Sequence, residues 1–159
     1  MKGELRGKGE IEAVVLDWRG EGGGYLTEAK ANSGRYIDNG TRVKLKTTEG
    51  RIEVLQDPET GIAYSGPLAV LVDRTSASAS EIFAAAIQDY HRGVVVGQTT
   101  FGKGTVQNLI PLDRWSRQSS EGQLTVTIGK FYRVTGGSTQ LRGGQPDIEL
   151  PARINTKDV

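Results

Sequence analysis

The feature that most constrains the fold is the apolar run Leu68–Val72, which precedes a helical pattern and then a second apolar run. From Ser78 to Tyr90 the apolar side chains recur on one helical face, and Val94–Val96 is the second run. A helix that connects two buried strands returns the chain to the same end of the sheet, so the two strands run parallel. The sequence therefore predicts an α/β domain with a mostly parallel central sheet.

Shorter patterns on both sides of this unit predict the rest of the domain. Alternating apolar residues on either side of Glu49-Gly50 predict an antiparallel hairpin that is added to the sheet. The hairpin strands are predicted at Val43–Thr47 and Ile52–Val54, and further strands at Ala13–Leu16, Val106–Ile110, Leu124–Val134 and Asp147–Leu150. A helix is predicted within 25–33 and a polar insert at 113–122. The 159 residues contain no internal repeat, so we expect one domain at 11–151, a polar N-terminal stub at 1–10 and a C-terminal tail at 152–159.

Composition excludes several functional classes. The 20 basic and 19 acidic residues leave a net charge of +1, which gives no electrostatic reason to expect nucleic acid or an anionic membrane as a partner. The longest apolar run, Ile82–Ile87, is far shorter than the roughly 20 residues of a membrane span. Met1–Arg6 is polar, so we expect a chain made without a secretion signal or one that has lost it.

The residue types also limit the chemistry. The chain has no cysteine, which excludes a thiol nucleophile, disulfides and cysteine-ligated zinc. His91 is the only histidine, so a multi-histidine metal cluster cannot form. Any catalysis must therefore depend on Ser, Thr, Lys, Asp, Glu or Tyr side chains.

Three loops follow predicted strands of the parallel sheet: Gly20–Gly24, Arg74–Ser80 and Gly97–Gly104. Ligand sites in such sheets lie beyond the carboxyl ends of the strands. We therefore expect a functional site where these loops meet.

The loop before the long helix contains three serines. Ser78, with Glu81 three residues later, fits a capping box, and Ser76 also fits an N-cap. The same place suits a nucleophile, because unpaired N–H groups at a helix N-terminus can hold an oxyanion. The pattern leaves open which of Ser76, Ser78 and Ser80 such a nucleophile would be.

A serine nucleophile needs a base, and the composition favours a lysine. His91 lies on the same predicted helix as Ser78, about 20 Å away at 1.5 Å per residue. Lys103 is the candidate, since glycines flank it and Phe101 and Val106 offer apolar surroundings in which an amine can be neutral. The alternative is an exposed loop lysine.

Two glycine-rich loops come close to nucleotide-binding motifs without fitting them. Gly97–Lys103 is one residue short of a P-loop, and Gly104 stands where that motif needs Ser or Thr. Gly20–Gly24 lacks the third glycine of a dinucleotide fingerprint, because Tyr25 occupies its place. This loop is then either a tight turn or a segment whose amides approach a substrate. We expect no cofactor and no metal.

Together these segments resemble the carboxy-terminal processing peptidases, also called tail-specific proteases, and in particular their bacterial periplasmic branch. The resemblance covers about residues 11–151, and its blocks are 16–24, 66–82, 88–89, 100–107, 130–133, 136–140 and 146–148. It implies a crotonase-like α/β core with a mostly parallel central sheet and antiparallel hairpin additions. Trp18 and Glu21 depart from the family pattern, in which a smaller aliphatic residue and Asn are common.

The resemblance also implies roles for individual residues. Ser78 corresponds to the nucleophile, Lys103 to the base and Gln107 to the residue that orients the lysine. The segment from Lys103 to Gln107 is predicted to be extended, so that contact requires a bend. The other implied positions are backbone oxyanion donors at Ala79, Gly22 and Gly23, and supporting residues at Glu81, Thr100 and Asp89. Asp89 has a structural role here, because it lies roughly 16 Å from Ser78 along the helix.

The function implied by the resemblance is a serine endopeptidase that cleaves unfolded proteins or peptides recognised by apolar C-terminal tails. The full-length protein would then be periplasmic, and residues 11–151 would be its catalytic core. One alternative is a non-catalytic core fragment, with little activity in isolation because a PDZ domain and flanking regions are missing. Another is a crotonase-like acyl-thioester enzyme, which shares the fold but has no reason to carry a Ser–Lys pair.

Overall fold

The computed structural model describes residues 11–57, 60–114 and 122–151. The predicted stub at 1–10, the tail at 152–159 and most of the polar insert lie outside the described residues. The strands are β1 Val14–Asp17, β2 Thr41–Thr47, β3 Ile52–Gln56, β4 Leu68–Val72, β5 Val94–Gly97, β6 Thr105–Pro111, β7 Gln123–Tyr132 and β8 Ile148–Glu149. The helices are α1 Leu26–Gly34 and α2 Ala79–Asp89, and a short 3-10 helix lies at Leu112–Arg114.

The strands form two sheets of four strands each. The first has the order β1-β4-β5-β8, and all its pairs are parallel. The second has the order β3-β2-β7-β6, and all its pairs are antiparallel. The predicted α/β class with a parallel sheet is confirmed. The antiparallel strands form a complete second sheet, because β7 pairs with both the predicted hairpin and β6.

Helix α2 lies between the two sheets. Phe83 and Ile87 pack on the parallel sheet, in one core cluster with Val70 of β4. Ile82 packs on the antiparallel sheet, in a second cluster with Phe131 of β7. Every residue of α2 from Ala79 to Ile87 is buried, which explains why this segment is apolar on nearly all sides.

An aromatic group anchors α2 to the parallel sheet. Phe83 stacks on Trp18, with ring centroids 4.7 Å apart and planes 5° apart. It also meets Tyr36 edge-on, with centroids 6.0 Å apart. The large residue at position 18, which departs from the family pattern, thus fills space against the central helix.

The three predicted loops follow β1, β4 and β5, which end at the same edge of the parallel sheet. They contact one another through main-chain hydrogen bonds, from Ala77 to Glu21 O and from Phe101 to Ser76 O, both 3.0 Å long. Gly97 has a φ of +139°, and a side chain there would lie 1.8 Å from the Val72 carbonyl oxygen, so glycine is required. No helix among the described residues is long and apolar enough to cross a membrane.

We predict that Phe83→Ala lowers the free energy of unfolding by about 3–5 kcal/mol, because it removes a fully buried ring and leaves a cavity. Phe101→Ala is the matched control. That ring is 64% exposed, so the change should be about 0.5 kcal/mol or less. Urea denaturation followed by circular dichroism measures both values, and equal losses would contradict the role given to Phe83.

Candidate active site

Ser78 occupies an unusual backbone conformation immediately before α2. Its φ and ψ angles are 57° and −113°, although it is not a glycine. Positive φ values are uncommon for residues with a side chain and cost energy that surrounding contacts must offset. The Glu81 half of the predicted capping box is present, because the Ser78 N–H donates to Glu81 Oε2 at 2.8 Å. Ser78 can therefore be the N-cap residue of α2 and a candidate active-site residue at the same time.

The two neighbouring serines have different surroundings. Ser76 and Ser80 are completely buried. The Ser76 hydroxyl donates to Trp18 O at 2.8 Å, and the Ser80 hydroxyl donates to Glu21 O at 3.1 Å. Both hydroxyls therefore hold the loop after β1 in place. Ser78 is half-buried and is the one of the three that lines a cleft.

This cleft contains both predicted reactive side chains. It has a volume of about 550 Å³, and Ser78, Lys103 and Gln107 all line it. Much of the remaining lining is apolar and consists of Leu26, Leu45, Ile82, Val106, Leu109, Ile128 and Phe131. Ser78 and Lys103, which are far apart in sequence, are thus brought to one surface. Among the described residues no hydrogen bond joins Ser78 Oγ to Lys103 Nζ.

Glu81 connects the serine turn to the lysine loop. Its carboxylate is 1% exposed and accepts hydrogen bonds from both loops. Besides the Ser78 bond, Oε1 accepts from Thr100 Oγ1 at 2.6 Å and from the Gly102 N–H at 2.8 Å. Oε2 also accepts from the Lys103 N–H at 2.9 Å. One buried side chain therefore fixes the main chain at both Ser78 and Lys103.

Thr100 extends this network to the loop before β8. Its hydroxyl donates to Glu81 and accepts from the Gly144 N–H at 2.6 Å. The Thr100 N–H donates to the Gly144 carbonyl oxygen at 3.1 Å. The predicted supporting residues Glu81 and Thr100 thus act on the lysine loop through hydrogen bonds, and neither lines the cleft.

Lys103 is half-buried and makes no ion pair with any residue that the structure describes. Val106 lines the cleft with it, as predicted. Phe101 does not, because it is mostly exposed and lies outside the cleft lining. The expected apolar surroundings therefore come from Val106 and from the facing antiparallel sheet.

Gln107 lies in β6, beside an irregularity in the pairing of β6 with β7. The β6–β7 register shifts between Val106 and Gln107 because β7 has one extra residue there, Ile128, so the bulge lies in β7 and the bend expected between Lys103 and Gln107 stays a prediction. Gln107 lines the cleft, and its Nε2 is 3.5 Å from Thr127 Oγ1, at the limit of a hydrogen bond. No hydrogen bond to Lys103 is present among the described residues.

The two candidate oxyanion glycines differ in position. A side chain at Gly23 would lie 2.8 Å from Ser78 Cβ and 3.0 Å from the Ala79 nitrogen, so this loop touches the serine turn. Gly23 has a φ of +104°, which favours glycine on backbone grounds as well. A side chain at Gly22 would meet no atom within 4 Å. Gly23 is therefore the one that lies beside Ser78 and Ala79.

Asp73 ties the glycine loop to the serine turn. Its Oδ1 accepts from the N–H groups of Gly20 at 3.2 Å, Thr75 at 2.9 Å and Ser76 at 3.1 Å. Partial burial raises the pKa of Asp73, but hydrogen bonds from Thr75, Gly20 and Ser76 outweigh it and hold that pKa below the usual value.

Asp89 lies away from the cleft, at the end of α2. Its carboxylate, 5% exposed, pairs with the Arg133 guanidinium, whose Nη2 also donates to Gln88 Oε1 at 2.8 Å. A carboxylate in the last turn of a helix is unfavourable beside the negative end of the helix dipole, and Arg133 offsets this. His91 follows the helix and is exposed.

One further contact was not predicted from the sequence. The Gly104 N–H donates to Gln140 Oε1 at 2.7 Å, so a side chain 36 positions away fixes the far end of the lysine loop. The matching block at 136–140 was the one signal that pointed to this residue. The described residues contain no group of three or more His, Asp or Glu side chains that could hold a metal ion.

Comparison with known proteins identifies the family. Residues 2–150 match the model of peptidase family S41. The chain belongs to this family. The resemblance to carboxy-terminal processing peptidases is thereby confirmed.

Several curated relatives carry corresponding names. The chain is 50% identical over 155 residues to the tail-specific protease of Haemophilus influenzae, covering 94% of this chain and 22% of that protein. It is 34% identical over 155 residues to the carboxy-terminal-processing protease of Bartonella bacilliformis, covering 94% and 34%. It is 33% identical over 149 residues to the chloroplastic C-terminal processing peptidase of Tetradesmus obliquus, covering 94% and 31%. The chain thus spans 22–34% of the length of these relatives.

Solved structures agree with the fold. The photosystem II D1 C-terminal processing protease matches with a TM-score of 0.74 and 30% identity, over 88% of this chain and 35% of that one. A lipoprotein from Streptococcus agalactiae matches with a TM-score of 0.73 at 17% identity, over 90% of this chain and 52% of that one, which supports the fold alone.

We predict that Glu81→Gln weakens the connection between the two loops. An amide offers one acceptor oxygen and places an NH₂ group against main-chain donors, so two of the four hydrogen bonds are lost. The free energy of unfolding should fall by about 1–3 kcal/mol. Hydrogen exchange at the Gly102 and Lys103 amides should accelerate more than at the core strands.

Glu28→Gln is the control for this change, because Glu28 is an exposed glutamate on α1. Its stability and its exchange rates should match those of the unmodified protein. Unchanged exchange at Gly102 and Lys103 in Glu81→Gln would show that the carboxylate does not hold the lysine loop.

Proposed function

We propose that this chain is the catalytic core of a serine endopeptidase that uses Ser78 as nucleophile and Lys103 as base. The observation that carries the proposal is the shared cleft: it contains Ser78 and Lys103, while the hydroxyls of Ser76 and Ser80 are bonded to main-chain carbonyls. The names of the relatives favour a peptidase over the non-catalytic alternative.

In the proposed reaction Ser78 Oγ attacks the carbonyl carbon of a peptide bond. Neutral Lys103 Nζ accepts the hydroxyl proton and returns it to the leaving amine, which departs as the C–N bond breaks. Water then attacks the acyl-enzyme ester, and the same amine accepts a proton from it and restores the Ser78 hydroxyl. Lysine suits this role because, unlike arginine, it can be neutral when surrounded by apolar groups.

The negative charge of the tetrahedral intermediate requires hydrogen-bond donors beside Ser78. The Ala79 N–H belongs to the first residue of α2 and lies at the positive end of the helix dipole. Gly23 approaches both Ser78 and Ala79, which supports its N–H as the second donor. Gly22 is less well placed for this role.

Gln107 is proposed to orient the lysine. Its Nε2 points to Thr127, so its amide oxygen is the atom that can accept a hydrogen bond from the Lys103 amine. Catalytic hydrogen bonds are often long in the absence of substrate and shorten when it binds.

The apolar lining of the cleft supports unfolded protein substrates with apolar C-terminal tails. Strand β6 is an edge of the antiparallel sheet, and residues 105–109 line the cleft, so an extended peptide can lie along this strand. The bacterial relatives support a periplasmic location for the full-length protein.

A serine-reactive fluorophosphonate probe tests the catalytic assignment. We predict that it labels Ser78 and that peptide mapping finds no label on Ser76 or Ser80. Labelling and turnover of an unfolded protein substrate should fall by about 10²- to 10⁴-fold in Lys103→Arg, which keeps the charge but removes the base.

His91→Ala is the control, because His91 is exposed and outside the cleft, and it should keep full labelling and turnover. Full activity in Lys103→Arg, or label on Ser76, would contradict the mechanism. Turnover of an acyl-thioester without peptide cleavage would instead support the crotonase-like alternative.

A second prediction concerns the tail. Two otherwise identical unfolded substrates, one ending in Ala-Leu-Val and one in Asp-Glu-Asp, should differ about 10- to 100-fold in kcat/KM, in favour of the apolar tail. This range corresponds to burial of one apolar side chain. Equal values for the two substrates would remove the apolar tail from the proposed specificity while leaving the Ser–Lys mechanism intact.

A further inference from the structure

The main chain around Lys103 is held by side chains rather than by a helix or a strand. Three consecutive N–H groups, those of Gly102, Lys103 and Gly104, all donate to side-chain oxygens. The first two donate to the Glu81 carboxylate, at 2.8 and 2.9 Å. The third donates to Gln140 Oε1 at 2.7 Å. Two acceptors of different charge therefore hold the main chain on the two sides of Lys103.

The two glycines that flank Lys103 pack against the loop that carries Gln140. A side chain at Gly104 would lie 2.8 Å from the Gln140 nitrogen and 2.9 Å from its Cβ. A side chain at Gly102, whose φ is +94°, would lie 3.1 Å from the Gly143 nitrogen. This close approach accounts for the glycine on each side of the lysine. The loop thus backs both neighbours of Lys103, while Lys103 itself lines the cleft.

The backbone of this second loop is strained at Leu141. Its φ of +65° lies in the left-handed region, which costs energy for a residue with a side chain. The Leu141 side chain is 88% exposed, so its own packing does not offset that cost. Its N–H donates to Gly102 O at 2.8 Å, next to the bond between Gln140 and Gly104. Contacts with the lysine loop therefore hold this strained conformation in place.

The acceptor oxygen of Gln140 differs from those of Glu81 because it carries no net charge. The Glu81 charge is shared among four donors. Within the described residues, Lys103 is the only charged side chain that lines the cleft, and Tyr25 is the only other titratable one. Lys103 acts as a base only when its amine is neutral, and a nearby carboxylate favours the protonated amine. A neutral acceptor at position 140 fixes the loop without favouring the ammonium form.

We propose that Gln140 is a positioning residue for Lys103: its neutral oxygen holds the Gly104 N–H and so fixes the direction in which the lysine side chain leaves its loop. Gln140 is outside the cleft lining, so it acts through the main chain and not on the substrate. The inference rests on the proposed function, in which Lys103 is the base.

Two substitutions at position 140 separate the hydrogen bond from the charge. Gln140→Ala removes the acceptor. We expect it to lower kcat for an unfolded protein substrate about 10- to 100-fold at every pH, with KM nearly unchanged, because the amine is misdirected while the cleft is intact. Hydrogen exchange at the Gly104 amide should accelerate in this variant.

Gln140→Glu keeps the acceptor and adds a charge, so exchange at the Gly104 amide should stay slow. The added carboxylate favours the protonated Lys103 amine and raises its pKa. The rise of kcat with pH should therefore move about 0.5–1 pH unit to higher pH. Above that rise the variant should regain the kcat of the unmodified chain, which Gln140→Ala should not do at any pH.

Gln145→Ala is the matched control. Gln145 lies in the same segment between β7 and β8, is exposed, and its side chain makes no hydrogen bond within the described residues. This variant should match the unmodified chain in kcat, in pH profile and in Gly104 exchange.

An unchanged kcat in Gln140→Ala would overturn the proposal, and so would an unshifted pH profile in Gln140→Glu. The second variant keeps the hydrogen bond, so its pH profile decides the matter even where Gln140→Ala fails to fold. Either result, with Ser78 still labelled by the fluorophosphonate and labelling lost in Lys103→Arg, would leave the catalytic assignment standing. An unmodified chain without label on Ser78 would overturn both.

Discussion

The buried carboxylate of Glu81 is the interaction on which the site depends. It lies on the first turn of a central helix and accepts hydrogen bonds from the Ser78 turn and from the loop that carries Lys103. The lysine loop has no helix or strand of its own to fix its conformation. A charged acceptor in a buried position makes strong hydrogen bonds to main-chain donors, so one side chain supplies the rigidity that the loop lacks.

Helix α2 makes this arrangement possible because it lies between two sheets of different kinds. The parallel sheet brings three loops to one edge, and the antiparallel sheet supplies the apolar wall of the cleft. A helix covered on both sides must be apolar almost throughout, and Ser80 and Glu81 are the polar exceptions within Ala79–Ile87. Both are bonded to loops outside the helix. The polar residues of the buried helix are thus the ones that organise the site.

Much of the fold could be predicted because its determinants are local. The run Leu68–Val72 and the helical pattern after it identify β4 and α2 without any distant contact. The different roles of the three serines could not be predicted from local sequence. They depend on which hydroxyls donate to carbonyl oxygens of the loop after β1, more than 50 positions away. The complete second sheet could not be predicted either. It depends on the pairing of Lys46 with Lys130, which are far apart in the chain and give no local signal of this contact. Gly22 and Gly23 are equivalent in sequence, and only the structure shows that Gly23 has a positive φ and approaches Ser78.

The burial of α2 from Ala79 to Ile87 has a consequence for the effect of salt. Mobile ions screen charges and dipoles that face solvent, over a Debye length of about 8 Å at physiological ionic strength, but they screen buried groups much less. Between these residues the dipole of α2 runs through the protein interior, where added salt screens it little, and its positive end reaches the cleft at Ser78. The rim of the cleft and strand β6 face solvent, so mobile ions can screen the charges there. In the proposed reaction, ionic strength should thus act on the encounter with a charged polypeptide more than on the bond-breaking step, so salt dependence offers a way to separate the two.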